Sequence, residues 1–129
     1  MSRADKLFDQ LDMRKYLNKR IADWSTGMKQ KTSIVRTLIH DPDLIVLDEP
    51  TTGVDVTWQS VIVYLIKSIK DSGKTLIFYT HQLNEVRDIA DHIIVMKAGE
   101  KIFDGNNNQF QELDRNKNFT EIFMELVNE

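Results

Sequence analysis

Cysteine is absent from the 129 residues, which excludes disulfides and thiolate metal sites and leaves nothing against a cytosolic home. Proline occurs twice and glycine five times, too sparsely to form a Pro- or Gly-rich linker. No internal repeat or low-complexity segment marks a domain boundary, so a single domain is expected. Long apolar runs are missing too: the longest, VIVYLI at Val61–Ile66, is far short of the roughly 20 residues a membrane helix needs. Residues 1–24 are charged throughout and contain no apolar signal-peptide core. Charge of one sign is also scarce. A net charge of −3 supplies no general basic field for gripping nucleic acid or an anionic membrane, although basic side chains gather locally at Lys29 and Lys31.

What is present is ordinary globular material, 41% apolar and 29% charged, enough for one core of useful size. Leu7, Phe8 and Leu11 stand at helical spacing, and MRKYLNK reads as a second short helix. Ser25 is placed to N-cap a helix running to about His40, with Ile34, Val35, Leu38 and Ile39 on one face; Asp41–Pro42 stops it. LIVLD, Leu44–Asp48, is a continuous apolar run, the pattern of a strand covered on both faces in a parallel sheet. After a turn over Pro50–Asp55 comes a long helix to about Ser72, closed by Gly73. TLIFYT is a second buried strand, and QLNEVRDIA a helix beginning just after His81. HIIVMK and KIFDG read as strands joined by a turn at Ala98–Gly99, and two polar helices near 107–113 and 118–127 follow. The alternation predicts an α/β fold with a mainly parallel sheet, ending in a β-hairpin plus helices.

The chemistry collects where the strands end. In DLIVLDEPTTGVD, an apolar run finishes in two adjacent carboxylates, Asp48 and Glu49. Ligands of open α/β sheets bind beyond the carboxyl ends of the strands, and Thr80–His81 ends the second apolar run. Neighbouring strands would bring two carboxylates and an imidazole to one rim. Paired carboxylates repel, so they point to a cation or a proton-transfer task. Each element alone has a plainer reading. LDEP is a strand running into a solvated acidic turn, His81 a capping or packing residue, and Ser25-Thr26-Gly27 an N-cap with a glycine in the first turn. His40 and His92 carry only the plain reading.

The conjunction is more telling than any element. In order and spacing, WSTGMKQK, LIVLDEPTTGVD and IFYTHQLNEVRDIAD together resemble the ATP-binding subunit of ABC transporters, over nearly the whole chain. STGMKQK looks like the family's signature motif, although Trp24 and Thr26 stand where Leu and Gly are commoner. With THQLNEV and KAGEKIFDG it is similar to sodium-exporting and related exporter ATPases. The resemblance implies a partial P-loop NTPase fold of three layers. Residues 1–40 would be the end of the helical subdomain and the signature helix, and residues 41–129 the Walker B, D-loop and switch-histidine core. It implies ATP and Mg²⁺ as cofactors, with Asp48 holding Mg²⁺ through water, Glu49 polarising the attacking water and His81 contacting the γ-phosphate. Ser25, Thr26, Gly27 and Met28 would contact ATP held on a second ATP-binding subunit, and Asp55 would line that dimer interface. Transmembrane permease subunits would hold the assembly at the inner face of the cell membrane.

Such an ATPase also needs a phosphate loop, G-x-x-x-x-G-K-[ST], between a strand and a helix. SIKDSGKT is a false candidate: Ser68 takes the first Gly position, and the order is helix then strand. The chain is therefore expected to be the C-terminal half of the subunit, with no tight ATP binding and no appreciable turnover alone. An unpaired apolar sheet edge would make it prone to associate. The alternative is a non-catalytic interaction module that docks on a complete ATPase subunit. A DNA-repair or chromosome-organising ATPase is disfavoured because the N-terminal helices are too short for a coiled-coil arm. The missing basic patch argues against nucleic acid in general, ribosome-associated relatives included.

Overall fold

A computed structural model describes residues 5, 6, 9 and 26–129; the two helices expected before Ser25, and Ser25 itself, lie outside these apart from Asp5, Lys6 and Asp9, which are helical. The chain forms two compact units, Met1–Thr80 and His81–Glu129.

In the first unit, helix α1 (Thr26–Leu38) buries Lys31, Ile34, Val35 and Leu38, the i, i+3, i+4, i+7 stripe of a one-sided helix. Asp41 takes a left-handed backbone, φ 53°, and donates its N–H to the Leu38 carbonyl before Pro42 blocks further helix. Strand β1 (Leu44–Asp48), helix α2 (Val56–Asp71) and strand β2 (Thr75–Tyr79) complete a β-α-β unit. β1 and β2 pair in parallel, Leu44 opposite Thr75 and Asp48 opposite Tyr79. Ile62, Leu65, Ile66 and Ile69 of α2 are buried, and α1 packs on β1 and α2 on β2.

That sheet corrects the expectation that both strands are covered on both faces. Ile45 and Leu47 are buried, but Leu44 is 56% and Val46 61% exposed, with Ile77 and Tyr79 similarly open on the neighbouring strand. Side chains alternate along a strand, and no described element covers this second face. A run of uninterrupted apolar residues specifies a strand that can be buried twice, not one that is.

The SGKT segment behaves as a helix stop. Ser72 caps α2, with its N–H donated to the Ser68 and Ile69 carbonyls, and Gly73 follows at φ 87°, a conformation that suits glycine. Lys74 is an ion-pair partner of Asp41 at 2.6 Å and donates to the Asp41 and Pro42 carbonyls. The lysine thus ties the α1–β1 turn to the start of β2.

In the second unit, helix α3 (Leu83–Ile89) precedes the antiparallel hairpin of β3 (His92–Lys97) and β4 (Glu100–Asn106). Its turn is Ala98–Gly99, both with positive φ, the twist that two-residue hairpins prefer. Helices α4 (Asn107–Gln111) and α5 (Phe119–Asn128) each begin with a capping box, Asn106 with Gln109 and Asn118 with Glu121. The core is Ile93, Val95, Phe110, Phe119 and Ile122. Phe110, fully buried, meets Phe103 edge-on and Phe119 at 4.6 Å. The sequence predicts a polar last helix; α5 instead puts Phe119 and Ile122 into this core. Asn107 gathers the C-terminal carbonyls of α3, its amide donating to Val86, Arg87 and Ala90.

Candidate functional site

The loop between β1 and α2 is rigidly built. Pro50 and Thr51 are fully buried and Val54 is buried, so the segment is anchored rather than draped over the surface. Gly53 supplies the left-handed turn, φ 77°. Thr52 N–H donates to the Glu49 carbonyl at 3.1 Å and Val54 N–H to that of Thr51. The Gln59 amide reaches back from α2 to the Val54 carbonyl at 3.2 Å.

Glu49 is the unusual residue. Its backbone is left-handed, φ 46°, a conformation costing an L-residue roughly 1–2 kcal/mol. Surrounding bonds hold it there. Its N–H donates to the Tyr79 carbonyl at 2.7 Å, joining β1 to the end of β2. Its carbonyl accepts from Thr52 N–H and from the Gln30 amide of α1 at 3.0 Å. The Thr52 hydroxyl lies 3.5 Å from Glu49 Oε2. Strain of this kind persists only where the surroundings enforce it, and it concentrates at sites that aim a side chain.

The other sequence-predicted residues divide clearly. Asp48 ends β1, exposed, opposite Tyr79 of β2, and Glu49 follows it directly in the chain. Gly27 and Met28 lie half-buried in the first turn of α1. Thr26 opens that helix, but its side chain and all of Ser25 lie outside the described residues. Asp55 N-caps α2, its Oδ1 accepting the Trp58 N–H at 3.0 Å, so it has a local structural task whatever else it does. His81 is exposed and opens the second unit immediately after Thr80. Gln30 was missed at the level of sequence; only its place in MKQK marked it, and nothing there signalled a bond to a residue 19 positions on.

No group of three or more His, Asp or Glu side chains is arranged to hold an ion among the described residues. Asp48 and Glu49 offer hard carboxylate oxygens with no cage around them. That donor set fits Mg²⁺, which keeps several waters and takes one or two carboxylates beside phosphate oxygens.

The ABC transporter family profile matches residues 1–52. The chain is 39% identical over 123 residues to the ABC transporter ATP-binding protein NatA of Bacillus subtilis, covering 95% of this chain and 50% of that protein. It is 31% identical to the Nod factor export ATP-binding protein I of Cupriavidus metallidurans, covering 94% and 40%. Among solved structures, the ATP-binding subunit of an ABC transporter superposes with a TM-score of 0.87 at 25% identity, over 96% of this chain and 52% of that one. The dimeric ATP-binding cassette MJ0796, in a post-hydrolysis state bound to ADP and Pi, does so with a TM-score of 0.72 at 27% identity, over 79% and 44%. The chain spans about half the length of the relatives it matches. Sequence and fold agree: this chain is a homologue of the ATP-binding proteins of ABC transporters, some of them export proteins, and has the mixed α/β fold of their cassettes.

Proposed function

We propose that this chain supplies the water-activating and signature-bearing half of an export-type ABC ATPase, acting on Mg-ATP whose phosphates are cradled by polypeptide outside these residues. The observation that carries this is Glu49, a carboxylate held in a costly backbone conformation beside Asp48 at the carboxyl end of a parallel strand pair. Glu49 orients and polarises the attacking water, and Asp48 holds Mg²⁺ through water; when bound, the ion neutralises charge on the phosphate oxygens. Gly27 N–H, with Ser25, Thr26 and Met28, contacts nucleotide on a second ATP-binding subunit from the start of α1. Asp55 lines that dimer interface, and His81 contacts the γ-phosphate. Residues 1–40 end a helical subdomain and residues 41–129 form the catalytic core. Permease subunits bind the assembly at the cytoplasmic face of the membrane; among the described residues no helix is long and apolar enough to cross it.

Alone, the chain binds Mg-ATP more weakly than micromolar and does not turn it over. The deciding experiment mixes the full chain with a complete ABC ATP-binding subunit and compares it with Glu49→Gln. Loss of the contributed turnover by about 100-fold or more is expected for a positioned general base. The second reading, a non-catalytic module, draws on the open apolar face of β1 and β2 as a docking surface. Co-purification with an unchanged rate in Glu49→Gln would select it.

A further inference from the structure

Two consecutive side chains of α1 grip the two ends of the loop that carries Glu49 and Asp55. The Gln30 amide donates to the Glu49 carbonyl at 3.0 Å. The Lys31 ammonium stands 3.0 Å from the centroid of the Trp58 ring, and the Trp58 N–H is the one that Asp55 caps. Consecutive residues on a helix point about 100° apart, so one reaches the end of β1 while the next reaches the first turn of α2. Lys31 is only 3% exposed. Burying an ammonium is costly unless it is compensated, and an aromatic face is one such compensation. Neither residue belongs to the set proposed to touch nucleotide.

We infer that Gln30 and Lys31 are positioning residues that couple the first turn of α1 to the backbone of Glu49 and to the Asp55 corner. A shift of α1 pulls on the Glu49 carbonyl through Gln30 and on α2 through Trp58. Whatever docks at Gly27–Met28 therefore registers at the Glu49 backbone through Gln30, about one helical turn along α1. The inference rests on the reading of Glu49 as the water-orienting group, but its structural half is measurable without nucleotide.

The test is residue-resolved amide hydrogen exchange on the full chain, comparing the parent with Gln30→Met, Lys31→Met, Lys31→Arg and, as a control, the exposed Ser33→Ala. Gln30→Met keeps the side chain's length and removes the donor. In that variant the Glu49, Thr52 and Val54 amides should exchange at least tenfold faster, while the β1–β2 ladder and the β3–β4 hairpin stay within twofold. Lys31→Met should speed the Trp58 and Gln59 amides similarly, with Lys31→Arg and Ser33→Ala like the parent. Loop amides unchanged within twofold in Gln30→Met would overturn the proposal. So would ladder amides accelerating as much as the loop, since Gln30 would then only stabilise the unit. In the mixed ATPase assay, Gln30→Met should lower kcat about tenfold at unchanged KM. If the exchange pattern holds and Glu49→Gln leaves turnover unaltered, the catalytic reading fails while the coupling stands.

Discussion

At the scale of one residue, Glu49 combines an acidic side chain with a costly left-handed backbone. A glycine would adopt φ 46° without steric cost, whereas the carboxylate is retained against it. Glu49→Gly is expected to gain about 1 kcal/mol in urea unfolding, the relief of strain being partly offset by the freer unfolded chain. Glu49→Val should lose about 1–2 kcal/mol, because a β-branched side chain resists the left-handed region more strongly. Trp58 fluorescence is a suitable probe, as the ring lies in the first turn of α2. A stable Glu49→Val chain would show that the turn is softer than its hydrogen bonds imply. Thr51 is fully buried and Gln30 holds the Glu49 carbonyl, so both anchor the loop that carries Glu49.

Helices and strands carry their own tests. Asp55→Ala removes the cap of α2 and should cost about 1 kcal/mol, read by urea unfolding before any assay of assembly, so that a structural loss is not mistaken for a lost interface. In the hairpin, Asp104 Oδ2 takes a hydrogen bond from Lys101 at 2.7 Å, and its Oδ1 lies 2.6 Å from His92 Nε2. Those bonds, Lys101's first and His92's next, hold the Asp104 carboxyl below its usual range. A carboxylate whose folded-state pKa is lowered stabilises fully above its unfolded-state value and ceases to as pH falls through the folded one. Protection of the β3–β4 amides should therefore decline in acid below the ordinary carboxylate range. Asp104→Asn should flatten that acid limb; an unaltered limb would assign it to other carboxylates. At the end of the chain, Lys117 is bonded to Glu125, which raises its pKa and joins the α4–α5 connection to the body of α5.

For the molecule as a whole, the decisive feature is the open sheet face. Leu44, Val46, Ile77 and Tyr79 are each more than half exposed on a two-stranded sheet, and contiguous apolar surface of this kind promotes association. Val46→Lys and Ile77→Lys are expected to shift the chain toward monomer in light scattering after size exclusion, without loss of helical circular dichroism. Equal association in both variants would place the sticky surface elsewhere.

From Thr26 onward, the order of elements, the ends of β1 and β2, the helix stop at Gly73 and the hairpin turn at Ala98–Gly99 were legible in the sequence. Each is written within a few residues, as periodicity, a cap or a turn. The paired carboxylates were legible as well, because adjacency along the chain survives folding. What only the tertiary structure decided is which strand face stays open, how Glu49 is bent, and that Gln30 meets the Glu49 carbonyl and Lys31 the Trp58 ring. Those depend on the chain returning to itself across many positions, and local pattern carries no record of what it meets there.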